Sequence, residues 1–142
     1  MERHDPLGRT LALEDIAPGQ AIGMDLAWSD GPGGRDLELL GGAEALAQDL
    51  AVAFQTPRGD DPFHAAFGFD GLQALTAELD PLLREEFLRL AVLRTLQDDR
   101  RVRRVEAIRL RTEADRSTSI TAEIRLADQR TVSIDLITPD PA

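Results

Sequence analysis

The residues whose types could do chemistry are Glu106, Asp115 and Thr121, in the spacing Glu-x8-Asp-x5-Thr. Two carboxylates are the equipment of glycoside hydrolysis, where one carboxyl protonates the leaving oxygen and the other supports the positive charge that develops on the sugar. A general acid must keep its proton until the bond breaks, which asks for apolar or acidic surroundings. Glu106 stands beside Arg103 and Arg104 in a stretch that reads as strand, the opposite environment, so the carboxylates are expected to serve structure. Other chemistries have less to build on. His4 and His64 are far apart in sequence, and His64 reads as a hydrogen-bonding residue of its loop. The chain has no cysteine, which excludes a disulfide framework and a thiolate metal site. No glycine-rich phosphate loop follows a strand, Gly31-Pro32-Gly33-Gly34 reads as a turn, and no nucleophile-elbow pattern occurs. The expectation is a chain with no catalytic residue, no cofactor and no metal.

Charge points the same way. The 142 residues carry a formal net charge of −10, and a field of that sign repels nucleic acid over most of the surface. The charge is uneven, because residues 100–116 hold 7 arginines against 3 acids. That basic stretch suits either an acidic partner or an internal pairing with the acidic body. The N-terminus MERHDPLGRT lacks an apolar core, and no apolar run approaches a membrane span, so the chain is expected to be made in the cytoplasm and to bind no membrane. Its length is that of one domain. Residues 1–20, mixed in charge and punctuated by Pro6, Gly8, Pro18 and Gly19, read as an extended arm, with 21–142 as one domain.

The elements follow from periodicity. Met24–Trp28 and Leu37–Leu40 are strand-like pieces around a turn-rich segment and are expected to pair as a hairpin. Leu46, Leu50, Ala53 and Phe54 place one apolar face on a helix over about 43–55, which Thr56-Pro57-Arg58-Gly59 ends. Phe63, Phe67 and Phe69 then crowd a segment that should be loop, pinned onto a surface by its rings. Asp70 can cap a short helix over 71–79, and Asp80-Pro81 starts a longer one to about Gln97. That longer helix is apolar on two sides, with Leu83, Phe87 and Leu90 on one flank and Leu88, Val92 and Leu96 on the other. One side is expected to meet the domain's own sheet, the other the first helix or a different subunit. In the last third the period falls to two. Ile120, Ala122, Ile124 and Leu126, then Val132, Ile134 and Leu136, alternate with polar residues, and a strand near 105–112 precedes them. The expected class is α+β: two to three helices packed on a C-terminal three-stranded antiparallel β-meander. Trp28 is open between core and interface.

Three motifs carry a resemblance. Leu40-Gly41-Gly42-Ala43-Glu44-Ala45-Leu46-Ala47-Gln48-Asp49-Leu50, then Thr56-Pro57-Arg58-Gly59-Asp60, then His64-Ala65-Ala66-Phe67-Gly68 resemble the baseplate wedge and sheath-initiator family of contractile phage tails, often labelled lysozyme-like, and above all its members in extracellular contractile injection systems. Asp99-Arg100-Arg101-Val102 is similar to the family's Glu-Pro-Arg-Val junction, with Arg100 in the proline's place; at the third motif the family has His-Pro-x-Tyr-Gly. The likeness spans about residues 36–137. It implies a structural subunit, six copies per particle, that joins wedge proteins around the inner tube to the first ring of sheath protein. By the same resemblance Asp99, Arg100 and Arg101 would grip the wedge, and strands from the sheath would join the C-terminal sheet at Ile120, Ile124, Val132, Ile134 and Leu136. The alternative for Asp99 and Arg101 is an internal salt bridge closing the turn. The resemblance places the chain in a tail-like particle, with release outside the cell left open. The Glu106, Asp115, Thr121 spacing resembles that of phage-type lysozymes, so a muramidase acting on peptidoglycan is the rival reading, and a small acidic adaptor the third.

Overall fold

The computed structural model describes residues 5–17, 23–71, 80–112 and 118–138. The chain forms an α+β fold and divides into two compact units, 1–49 and 50–142.

Among the described residues the first unit contains three two-stranded pairs. β1 (Arg9–Leu11) pairs antiparallel with β6 (Leu39–Gly41), β2 (Leu13–Asp15) with β3 (Met24–Leu26), and β4 (Trp28–Gly31) with β5 (Gly34–Leu37). Residues 9–15, within the stretch read as an arm, thus carry two paired strands. The three pairs meet at a cycle of backbone bonds: Ala12 N–H donates to Glu38 O, Glu38 N–H to Ala27 O, and Ala27 N–H to Ala12 O, each at 2.9 Å. Ala12 and Ala27 are buried at this junction, where a larger side chain would hold the three backbones apart. The Gln48 amide fastens the same place, accepting from Leu13 N–H at 2.8 Å and donating to Leu11 O at 2.7 Å.

The expected hairpin exists with other partners. Of the two segments 24–28 and 37–40, Trp28 pairs with Leu37 and Ala27 O accepts from Glu38 N–H, and the rest of the ladder, the arms Ser29 to Gly31 against Gly34 to Asp36, lies in the stretch between them. Those arms are exposed along almost their whole length. With neither face buried they have no alternation to read. Trp28 is half exposed, with the Arg35 guanidinium over its ring at 5.1 Å.

Helix α1 (Gly42–Gln55) buries Ala45, Leu46, Leu50 and Ala53 on one stripe, as its spacing predicts. In the second unit the loop after it closes on itself. Phe69 N–H donates to Thr56 O at 2.8 Å and Arg58 N–H to Phe69 O at 3.1 Å. Gly68 stands where the two ends meet, at φ +104°, and a Cβ there would fall 2.5 Å from Thr56 O; only glycine fits. The loop's aromatics divide in a way the sequence reading did not anticipate. Phe69 is buried edge-on against Phe54, whereas Phe63 is 89% exposed and Phe67 half exposed. One ring fills the space beside Phe54. The tip is held instead by Asp61, which accepts from the N–H groups of Phe63 and His64 and pairs with His64 Nδ1 at 3.0 Å. These hydrogen bonds, the Phe63 amide first and the His64 side chain next, hold the Asp61 carboxyl below its ordinary value.

Helix α2 (Pro81–Asp98) begins as its sequence predicts, with Asp80 capping Leu82 N–H and Pro81 in the first turn. Leu88, Ala91, Val92, Thr95 and Leu96 are buried, while Leu82, Leu83, Phe87 and Leu90 are exposed. One apolar flank is therefore covered within the fold, and the other is bare. Two ion pairs fasten the loop to this helix: Arg58 Nη2 to Asp98 Oδ2 at 2.9 Å and Arg94 Nη1 to Asp70 Oδ2 at 2.5 Å. The helix expected over 71–79 lies outside the described residues.

Candidate functional site

The C-terminal sheet runs β7 (Val102–Thr112), β8 (Thr118–Leu126), β9 (Thr131–Thr138) in antiparallel order. The period-two pattern separates its faces. On β8 the residues Ile120, Ala122, Ile124 and Leu126 are 1% exposed or less. The other face is polar and internally paired, with Arg109–Glu123 at 2.9 Å, Arg125–Glu106 at 3.0 Å, and Thr121 Oγ1 donating to Asp135 Oδ1 at 2.8 Å. The β8–β9 turn is a three-residue loop in which Gln129 takes φ 71°, Gln129 N–H donates to Leu126 O and Leu126 N–H to Arg130 O. At its apex Asp128 accepts from Arg130 N–H, which holds its carboxyl below the usual value despite some desolvation.

The five residues named for strand docking fall into two groups. Ile120 and Ile124 lie on the central strand and are sealed in the core, so their side chains serve the interior. Val132 and Ile134 lie on the outer strand β9 and are half-buried. Leu136 sits opposite Ile120 in the β9 register; its side chain lies outside the described residues.

Asp99, Arg100 and Arg101 form the elbow between α2 and β7. Asp99 ends the helix, its carbonyl accepting from Val102 N–H at 2.9 Å, and Arg101 O accepts from Ala127 N–H at 2.9 Å. The Arg101 fork closes onto the same chain: Nε donates to Asp99 Oδ1 at 2.9 Å, Nη2 to Oδ2 at 2.5 Å, and Arg101 N–H to Oδ1 at 2.9 Å. Both side chains are less than a fifth exposed. Burial pushes the Asp99 carboxyl up, but the hydrogen bonds and charge of Arg101, helped by Arg100, outweigh it and hold the group below its ordinary value. Of the two readings of this pair, the structure contains the internal bridge. Arg100 is exposed at the same corner.

Glu106 lies on the polar face of the sheet, bonded to Arg125, and Asp115 lies outside the described residues. Among the described residues no group of three or more histidine, cysteine, aspartate or glutamate side chains is arranged to hold a metal ion, and no helix is long and apolar enough to cross a membrane. The sequence reading missed Arg89. Its Nη1 donates to Ile108 O on β7 at 2.7 Å, and its Nη2 is held by Glu85 Oε1 at 2.9 Å. The i,i+4 spacing of Glu85 and Arg89 was the only signal available.

Comparison with known proteins defines a fold. No protein-family model matches the chain, and no curated protein does. Among solved structures, the crystal structure of a "putative tail lysozyme" from Geobacter sulfurreducens is similar, with a TM-score of 0.62 at 16% identity, over 72% of this chain and 97% of that one. At that identity the likeness is one of fold.

Proposed function

We propose that this protein is a structural component of a contractile, phage-tail-like particle: a baseplate subunit that joins wedge proteins to the first sheath ring and starts sheath assembly by accepting a strand into its C-terminal sheet. The observation that carries the reading is that sheet, apolar on one face, paired on the other and ending among the described residues in an outer strand with half-buried apolar side chains. Such an edge binds an extended segment through main-chain hydrogen bonds, with alternate side chains setting specificity. The fold shared with a protein described as tail-related supports the setting. The motifs at 40–50, 56–60, 64–68 and 99–102 support the narrower role, and the exposed helix flank at Leu83, Phe87 and Leu90 offers apolar surface to a neighbouring subunit.

The test is reconstitution. Purified sheath protein from the same particle should polymerise without a lag when this protein and the wedge proteins are present, and with a lag when it is omitted. An unchanged lag would remove the sheath-initiator role. Peptidoglycan turnover by the folded protein that disappears in Glu106→Gln would favour the hydrolase instead.

A further inference from the structure

The junction of the three strand pairs in the first unit has a second face. Leu11, Leu13, Leu26, Trp28, Leu37 and Leu39 flank the junction residues Ala12, Ala27 and Glu38, and they are register partners two by two: Leu11 with Leu39, Leu13 with Leu26, Trp28 with Leu37. Side chains alternate along a strand, so these six lie on the face opposite Ala12 and Ala27. Burial agrees. The two alanines are buried, whereas Leu11, Trp28 and Leu39 are 39%, 48% and 58% exposed and the other three are half-buried. Three adjoining apolar pairs that meet water form the kind of contiguous patch that a partner covers.

The charge around this patch is arranged to match itself. Two residues further out on the same face, the register partners are Arg9 with Gly41, Asp15 with Met24, and Asp30 with Arg35. Two arginines and two aspartates thus surround the patch, although the protein as a whole carries −10. Among the described residues none of the four makes an ion pair; Arg35 lies over the Trp28 ring. A two-fold axis in the plane of the face, running along the β4–β5 ribbon, lays that ribbon on the same ribbon of a second copy and the β1–β6 ribbon on the partner's β2–β3 ribbon. Arg9 then meets the partner's Asp15, Arg35 meets the partner's Asp30, and exposed Met24 meets the space left by the partner's Gly41. Each contact occurs twice, and all four charges of each copy are paired. An axis along either of the other ribbons pairs only two of the four. A nucleic acid or an anionic membrane, being of one sign, offers no such match.

We infer that this face joins two copies of the chain in a symmetric dimer, with the six apolar residues at its centre and the Arg9–Asp15 and Arg35–Asp30 pairs at its rim. The dimer is a property of the protein on its own and does not depend on the tail role proposed above.

The experiment is sedimentation equilibrium of the full chain at about 50 μM, where the mass should be twice the 15.6 kDa of one chain. Leu39→Asp, at a position already 58% exposed, should weaken the dimer by about tenfold or more. Arg9→Asp and Asp15→Arg should each weaken it by a similar factor. The double variant should return to within about threefold of the parent, because each reversed charge then meets its opposite on the other copy. The two positions lie at the far ends of β1 and β2, roughly 20 Å apart on an extended chain, too far for rescue inside one copy. Trp28 is the only tryptophan, so its emission should move to longer wavelength as dilution separates the copies. A parent that stays monomeric at that concentration overturns the inference. So does a dimer that survives Leu39→Asp, which would place the contact on another surface such as the bare flank of α2, and so does a double variant no tighter than its singles. Shielding of Trp28 only when sheath or wedge protein is added would give the face to a different partner, and would overturn it as well.

Discussion

Arg101 and Asp99 show how a residue pair with a functional appearance can be occupied in holding an elbow. Arg101→Ala would remove the guanidinium from the largely shielded Asp99 carboxylate, which keeps the backbone N–H of residue 101, and a loss of about 1–2 kcal/mol is expected from the missing charged hydrogen bonds, reduced by the water that still reaches the pair. Urea unfolding of parent and variant measures it. The pH dependence has a definite sign. Asp99 titrates below the ordinary aspartate value of 3.8, so its contribution is fully present above that value and is lost as pH falls through the lower folded-state value. The variant should therefore lose less stability than the parent on acidification below about pH 4; equal losses would mean that the pair contributes nothing there. Gly68→Ala belongs to the same scale. Its positive φ and the approach to Thr56 O predict a loss of about 1–3 kcal/mol, read by thermal or chemical unfolding. A "Thr-Pro-x-Gly-Asp" turn is visible as a turn in sequence; that Gly68, far along the loop, must return to within reach of Thr56 is not, because it depends on a contact across the loop.

At the scale of elements, the two flanks of α2 have unequal fates. Leu88, Val92 and Leu96 are buried, and Leu96→Ala is expected to cost about 2–5 kcal/mol. Leu83→Ser and Phe87→Ser, on the bare flank, should change the stability of the isolated protein by about 0.5 kcal/mol or less. If they instead destabilise it as much as Leu96→Ala does, the flank is covered in solution by the protein itself. Periodicity made both flanks legible as apolar, but apolar spacing is identical whether the covering surface is the chain's own or another's. β8 and β9 were legible for a related reason: one face is buried, so their side chains alternate strictly. β4 and β5 gave no such signal because both of their faces meet water, and β7 gave a blurred one because its two register shifts move residues out of phase. Arg89 escaped because a helix–strand hydrogen bond to a backbone carbonyl leaves no trace in residue type.

For the whole molecule, the proposed role is association with other subunits. The α+β class and the C-terminal meander were readable from the change of period near residue 100, whereas the cycle of bonds at Ala12, Ala27 and Glu38 was not, since it is made wholly of backbone groups. The net charge of −10 implies that capture of a basic partner segment is weakened by salt. Asp135→Lys should lower the association rate and flatten that salt dependence, and stopped-flow mixing with sheath protein at two ionic strengths measures both. The central claim is tested most directly by a cryo-EM map of the assembled particle at the first sheath ring. The expected map shows a strand from a sheath subunit hydrogen-bonded along β9, adding a fourth strand to the sheet; a sheet without that added strand, with the sheath resting on another surface, would contradict the proposed role.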